Sequence, residues 1–281
     1  MKLTATQFFS LRDQEVDAAI ETQFYGRLRM RNGTFKLTKS ARFRDVEAAV
    51  AQAISARAAN LRTVLDVGVS TGITTIEFCD FLRSMGARPQ ITATDLFIDA
   101  HIVEPFVGVR VLADPTGWPL EYDLFGRSFR AAIGRWDYVT LTVFLRLLAR
   151  VALRHRLKSM IDRGKSKPVK FLSARLANRD DISVIDNDIL TQSENMVGKF
   201  DLVRAANILN RGYFSDENIA RAVATVRSYL RHPGGMLLVT RTKNDEVNSG
   251  TLFELTEDRT FTSLVRIGDG SEIDSIVLGM S

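Results

Sequence analysis

Two carboxylates with a glycine-bearing turn between them are the part of this 281-residue chain whose types and spacing suit chemistry on a ligand. Asp66 stands in the run VLDV, which passes directly into Gly68, Val69, Ser70, Thr71 and Gly72. Glycine lets the backbone come close to a ligand, and a helix starting just after Gly72 presents unpaired amide donors at its first turn. Asp95 follows 23 residues after Gly72 at the end of the run TATD, from which a carboxylate can take both hydroxyls of a ribose. Two later runs end in comparable turns: VIDNDIL carries Asp188 and Ile189, and FDLVRAANIL carries Ala205 and Asn207.

The elements that hold these residues alternate in type. Residues 63–67 form a short β-rich run broken by Gly68, and from Gly72 the pattern ITTIEFCDFLRSMG has helical spacing up to Gly86. Residues 90–96, 181–185, 199–203 and 236–240 read as further strands, and the last, MLLVT, lacks the alternation of a half-exposed strand. Residues 44–59 place Val46, Val50, Ala53 and Ile54 at helical spacing. A second helix is capped by Ser215, has Asp216 and Glu217 in its first turn, and carries Ile219, Val223, Val226 and Leu230 on one stripe. Residues 260–267 and 273–278 read as two last strands joined in a hairpin around Gly268, Asp269 and Gly270. The pattern predicts an α/β fold with a seven-stranded, mostly parallel sheet, helices on both faces and an antiparallel terminal hairpin strand.

Composition narrows the class. With 45% hydrophobic and 25% charged residues the chain is neither disordered nor fibrous, and its length suits one elaborated domain. The single cysteine, Cys79, and three scattered histidines, His101, His155 and His232, offer no zinc spacing and no internal disulfide, so no metal is expected and a reducing, cytoplasmic setting is. The net charge of +5 is unevenly placed: residues 146–180 hold eleven Lys and Arg against Asp162 and Asp180, which is +9, and leave −4 for the remainder.

Two nucleoside cofactors suit a glycine turn followed by an acid at the next strand end, a nicotinamide dinucleotide and S-adenosylmethionine. The dinucleotide pattern is G-x-G-x-x-G. Here the turn is G-x-x-x-G and Asp66 stands at the strand end, where it would repel a pyrophosphate and attract a sulfonium with its ammonium group. On VLDVGVSTG, TATDL, VIDNDIL and FDLVRAANIL, in that order between residues 63 and 278, the chain resembles the class I, Rossmann-like S-adenosylmethionine-dependent methyltransferases. The resemblance implies that Asp66, Gly68, Ser70, Thr71, Gly72 and Thr74 shape the pocket for the methionine half of S-adenosylmethionine. It implies too that Asp95 with Leu96 holds the ribose, that Asp188 and Ile189 meet the adenine, and that Ala205 and Asn207 line the floor, with S-adenosylhomocysteine as product. Asp188 reads equally as a plain turn residue. A narrower similarity, on STG, ATD and FDLVRAANILNRGYF, is to chemotaxis receptor methyltransferases, which esterify receptor glutamates. Ile73 and Thr74 stand where that family has Glu-Pro, and Ala206 where it has the Arg of an Arg-Asn pair.

Between Leu96 and Ile182 lie about 85 residues, more than a crossover needs. Residues 108–125 read as a hairpin turning at Pro115, Thr116 and Gly117, a lid over the ligand end of the sheet. Residues 138–158 read as an amphipathic helix with Arg146, Arg150 and Arg154 on a ridge and Val143, Leu147, Leu148 and Val151 on adjacent faces. Such a helix either packs on the core or makes peripheral contact with an anionic membrane or an acidic partner. Nucleic acid is not expected, because the basic window contains one aromatic, Phe171.

Taken together, residues 1–60 are expected to be N-terminal helices belonging to the core or a substrate cap, and 61–281 a methyltransferase domain with 97–181 as an inserted hairpin-plus-helix lid. The expected activity is methyl transfer to an O or N atom of a small-molecule acceptor, a carboxylate or hydroxyl favoured, by in-line displacement. His101 and Tyr213 are the candidate bases, with Asp99 behind them, and Glu104, Trp118 and Phe214 the candidate substrate-lining residues. The alternatives are a receptor-type glutamate O-methyltransferase and a non-catalytic adapter with the same fold that binds an anionic surface.

Overall fold

The structure, a computed structural model, describes all residues except 1–2, 32–35, 37–39, 132–141, 244–246 and 281, and gives only the backbone of 142–150, 152, 177 and 178. In chain order its strands are β1 (Thr63–Val67), β2 (Gln90–Asp95), β3 (Asp99–Phe106), β4 (Val109–Ala113), β5 (Pro119–Leu124) and β6 (Arg127–Arg130). They continue with β7 (Lys167–Lys170), β8 (Ile182–Asp186), β9 (Leu202–Ala206), β10 (Met236–Thr242), β11 (Asn248–Leu255) and β12 (Phe261–Ile267). The α-helices are α1 (Ala5–Phe8), α2 (Ala18–Tyr25), α3 (Arg44–Ser55), α4 (Ile73–Ser84), α5 (Thr142–Asp162), α6 (Asp216–Tyr229) and α7 (Asp274–Leu278). They divide between two units, one of Lys39–Leu96 with Leu176–Ser281 and one of Met1–Thr38 with Phe97–Arg175. The N-terminal helices are thus shared out, α1 and α2 to the second unit and α3 to the first.

The first unit is built on a seven-stranded sheet in the order β12-β11-β10-β9-β1-β2-β8. β8, β2, β1, β9 and β10 are mutually parallel, and β11 runs antiparallel to both β10 and β12. Strand side chains alternate between the two faces. Leu65, Val67, Val203, Ala205, Leu237 and Val239 face a core with Ile219, Val223 and Val226 of α6 and Ile273 and Val277 beside and within α7. The intervening residues of β1 and β9, Asp66 and Arg204 among them, turn to the other face, where Arg204 lies against Phe43 and Phe78 at the start of α3 and within α4. α6 forms as its sequence dictates: the Ser215 hydroxyl accepts the Asn218 N–H, and Ile219, Val223 and Val226 form its buried stripe.

The terminal hairpin differs from expectation. It consists of β11 and β12, and the run at 273–278 is a single helical turn, α7, whose Val277 is buried. Five residues carry too little periodicity to separate a buried strand from a buried turn. β11 escapes notice because it opens on Asn, Ser and Gly. Gly250 is required there by contact, since a Cβ would stand 2.3 Å from the Val239 carbonyl oxygen.

The second unit is a five-stranded antiparallel sheet, β6-β5-β4-β3-β7, covered on both faces. Ala100, Ile102, Leu112 and Leu120 pack against Phe8 of α1 and Phe24 and Tyr25 of α2, with the rings of Phe8 and Phe24 stacked at 3.9 Å. Buried Glu121 accepts the Ala5 N–H at 2.7 Å and fixes the start of α1 to β5. Val103, Val111 and Ala113 pack on the other side against Leu157, with Leu153, Met160 and Ile161 of α5. The predicted hairpin is present as β4 and β5, with Asp114 accepting from Thr116 and Trp118 in its turn. Val151 does not belong to the packed stripe of α5: it is exposed. Residues 138–141 and the side chains of Val143, Arg146, Leu147, Leu148 and Arg150 lie outside the described residues.

α3 carries one strained ionisation. Burial pushes the Glu47 carboxyl up to about 7, with Glu77 and Asp45 acting in the same direction and Arg204 and Arg44 against it. Between its ordinary value of 4.5 and about 7 the folded chain holds a proton that the unfolded chain releases, so this group's contribution to stability falls as pH rises through that window. Glu47→Gln should therefore raise the thermal midpoint at pH 8 and lose that advantage on acidification to pH 5. Equal shifts at both pH values, read by circular dichroism, would refute this ionisation.

Candidate functional site

β1 is flanked by β2 on one side and β9 on the other. The chain leaves β1 toward β2 and β8, then crosses to β9 and β10, so strand order reverses between β1 and β9. In open parallel sheets the crevice outside the carboxyl ends at that reversal is where ligands bind.

The turn from Gly68 to Gly72 opens this crevice and is anchored on β2. Gly68 N–H and Val69 N–H donate to the Thr94 carbonyl at 2.7 and 3.1 Å, and Ser70 N–H donates to the Asp95 carboxylate at 2.8 Å. Three alternate residues are left-handed, with φ of +75° at Gly68, +56° at Ser70 and +82° at Gly72. A Cβ on Gly68 would stand 3.1 Å from Ile208, and one on Gly72 2.3 Å from Leu176. The first contact joins the turn after β1 to the turn after β9. The second shows that glycine is needed where α4 begins, because a neighbouring side chain fills the space. Ser70 Oγ and Thr71 Oγ1 are buried in this turn without a hydrogen-bond partner among the described residues.

Two further turns complete the rim. Asn207 is left-handed, with φ of +60°, and its amide accepts the Thr242 N–H at 2.6 Å and donates to Thr242 Oγ1 at 3.2 Å. Its side chain thereby locks the turn after β9 to the end of β10. Ala205 is buried beneath it. After β8, Asn187 N–H donates to the Asp95 carbonyl at 3.0 Å, and the Asp188 carboxylate accepts the Leu190 N–H at 2.9 Å in an Asx turn. Ile189 belongs to the core, and Leu96 is half exposed. The turns that carry Asp95, Asp188 and the residues from Gly68 to Gly72 are therefore hydrogen-bonded to one another through the end of β2.

Asp66 is placed differently from these. Strand alternation turns its carboxylate away from the crevice and under α4, where Arg204 Nη1 donates to Asp66 Oδ2 at 3.0 Å and to the Thr74 carbonyl at 3.1 Å. Both side chains of the ion pair are 3% exposed. The guanidinium stands 4.9 Å from the ring of Phe43 and 4.7 Å from that of Phe78. Burial pushes the Asp66 carboxyl upward and Arg204 pulls it back. Arg204 went unread in the sequence, although opposite charges inside two apolar strand runs are a signal that they meet.

Tyr213 is half exposed, and Phe214 packs on the core at the entry to α6. His101, Glu104 and Trp118 belong to the second unit, and each has its own partners there. His101 Nδ1 lies 3.1 Å from Ser166 Oγ, and burial lowers the pKa of the imidazole. Glu104 accepts the Gly108 N–H and pairs with Arg110 at 3.3 Å. The ring of Trp118 lies under Arg31 and Arg154 at 5.4 and 5.9 Å. Among the described residues no group of three or more His, Cys, Asp or Glu side chains is gathered as a metal site would require.

The amino ends of the parallel strands are built otherwise. A cleft of about 360 Å³ lies there, beside Leu61, Asp201 and Met236, and is lined by ion pairs of Arg57 with Glu254 at 3.0 Å and Arg231 with Asp201 at 3.4 Å.

No family model and no curated protein matches this chain. Among solved structures it is similar to the citrinin polyketide synthase CMeT domain, at 14% identity over 64% of this chain and 28% of that one, with a TM-score of 0.31. It is similar to the [4+2]-cyclase SpnF at 15% identity over 68% of this chain and 44% of that one, TM-score 0.31. A third is CalS10, an amino pentose methyltransferase from Micromonospora echinaspora, at 13% identity over 79% and 75%, TM-score 0.33. The chain spans less than half the length of the first two, and methyltransferase names recur among the similar structures.

Removing one member of a buried ion pair leaves the other uncompensated, at about 3 to 5 kcal/mol. Arg204→Met should lower unfolding stability by about that amount in urea, and adding Asp66→Asn should restore part of it. Strictly additive losses in this double-mutant cycle would show that the two groups are not coupled.

Proposed function

We propose that this chain is an S-adenosylmethionine-dependent methyltransferase that transfers a methyl group to an O or N atom of a small-molecule acceptor, with a carboxylate or hydroxyl favoured. The observation that carries this reading is the Ser70 amide held on the Asp95 carboxylate at the point of strand reversal, with two buried hydroxyls beside it, Ser70 Oγ and Thr71 Oγ1, that lack partners among the described residues. Native proteins leave few buried polar atoms unsatisfied. A polar ligand end seated against the turn fits both hydroxyls.

The cofactor, when bound, supplies a methyl group on a sulfonium. The chain's part is to hold and orient. Asp95 offers a carboxylate to the ribose hydroxyls, and the turn from Gly68 to Gly72 receives the methionine half. Asp188 and Ile189 are the adenine side and Ala205 to Asn207 the floor. Asp66 enters as a positioning residue: through Arg204 it grips the Thr74 carbonyl and so fixes where α4 begins. A carboxylate acceptor needs no base for displacement. A hydroxyl or amine acceptor would draw on His101, whose pKa burial lowers, or on Tyr213.

Positioning is the main catalytic contribution available in such a displacement, together with exclusion of water. Two of the three chain passages between the units fall next to the site residues, at Leu96/Phe97 directly after Asp95 and at Arg175/Leu176 directly before the residue packed on Gly72. Glu104, Trp118 and Phe214 are the residues to probe with acceptors.

Calorimetry with S-adenosylmethionine and S-adenosylhomocysteine tests the reading. Both should bind, and Asp95→Ala should weaken them by about 10- to 100-fold, the worth of charge-assisted hydrogen bonds to two hydroxyls. No binding by the intact chain, with no effect of Asp95→Ala, would leave an adapter of the same fold instead.

A further inference from the structure

The second unit carries a surface that methyl transfer does not use. At one end of its sheet the β3–β4 and β5–β6 turns lie side by side. Phe106 pairs with Val109, Val109 with Leu124 and Leu124 with Arg127. Phe125 N–H donates to the Gly108 carbonyl at 2.9 Å, and the Phe125 ring covers Gly108 so closely that a Cβ there would stand 2.4 Å away. The side chains at both tips are apolar and face water: Val107 is 93% exposed, Phe125 82% and Phe106 52%.

The β5–β6 turn makes this harder to dismiss as chance. Its two central residues, Phe125 and Gly126, have φ of +50° and +81°, the backbone of a type I′ hairpin turn. Asn-Gly is the preferred pair there, and a bulky aromatic at the first position is strained. Stability and solubility both favour Asn at 125, yet the chain holds a phenyl ring outward. A bound state that buries the ring accounts for both departures.

Charge selects the partner. Arg110, Arg127 and Arg156 are exposed at this end of the unit. The acidic groups near them are Glu104, which pairs with Arg110, and Asp123, which is buried and accepts the Gly126 N–H. Arg156 reaches from α5 to donate to the Pro105 carbonyl at 2.7 Å and stacks over the Phe106 ring at 4.5 Å. Apolar side chains at a protruding tip with guanidinium groups just behind them match the depth order of a bilayer surface, acyl boundary first and anionic headgroups above it. Convex tips suit a lipid surface, which needs no preformed pocket to receive them.

We propose that this end of the inserted unit docks on an anionic lipid surface through Phe106, Val107, Leu124 and Phe125, with the three arginines at the headgroups. Docking stands independently of the methyl-transfer reading. Co-sedimentation of the full chain with phosphatidylcholine vesicles, with and without phosphatidylserine, tests it. Binding to the anionic vesicles should exceed binding to the neutral ones by at least about tenfold and weaken several-fold at high salt. Val107→Asp with Phe125→Asp should remove at least about tenfold of the anionic binding. Phe125→Asn separates docking from folding, because it relieves the turn: its thermal midpoint should hold or rise while vesicle binding falls. Absence of binding by the intact chain, or undiminished binding by the variants, overturns the proposal. So does a concentration-dependent dimer that Phe125→Asn dissolves in a chain indifferent to vesicles, since the occupant would then be a second copy.

Discussion

The guanidinium of Arg204 sits inside the sheet unit between two phenyl rings, with the Asp66 carboxylate at one amino group and the Thr74 carbonyl beside it. Taking two charges out of water costs several kcal/mol per ion, and only close pairing with further hydrogen bonds and stacking offsets it. The arrangement depends on register: Asp66 and Arg204 are direct neighbours across β1 and β9. A slip of either strand by one residue would turn its own charge into the apolar core under α6 and leave the other without its partner. The pair therefore specifies which strand lies beside β1, in what alignment, and where α4 starts.

That start decides the shape of the crevice. α4 begins at Ile73 only because the chain has first made a left-handed residue at Gly72, tight against Leu176. Its first turn is held to the sheet from below by Arg204, and the turn before it is held to β2 by the Thr94 carbonyl and the Asp95 carboxylate. Asn207 and Thr242 fix the facing turn in the same manner. The rim is thus made of backbone positions set by strand ends, a rigid support for whatever binds there.

Much of this is legible in the residues themselves. Parallel strands buried on both faces read as near-continuous apolar runs, so VLDV and MLLVT declare themselves, QITATD shows by its β-branched residues, and the Ser215 cap with its acidic first turn marks α6. Glycine turns after strands mark the ligand end. What the residues do not disclose is what depends on partners distant in sequence. β6 and β7, RSFR and KPVK, are charged and short and exist by pairing with β5 and β3. The assignment of Asp66 to the ligand rests on its type and position along the chain, whereas its direction is set by alternation relative to Leu65 and Val67, which claim the opposite core. Asp188 is open between two roles, and its Asx turn is compatible with both.

The two ends of the parallel sheet argue for where function lies. At the amino ends the polar groups are closed on one another: Asp201 accepts the Arg62 and Thr63 N–H groups at 2.9 and 2.8 Å and pairs with Arg231, and Arg57 pairs with Glu254. At the carboxyl ends of β1 and β10, Ser70, Thr71 and Thr240 bury hydroxyls that have no partner among the described residues. Left-handed φ at Ser70 and Asn207 adds backbone strain at the same end. A sheet folded for stability alone gains nothing from this asymmetry, since each unpaired buried hydroxyl costs about 1 to 3 kcal/mol. Within this sheet the two ends differ in that respect, and a ligand that hydrogen-bonds at the carboxyl ends would recover that free energy as affinity.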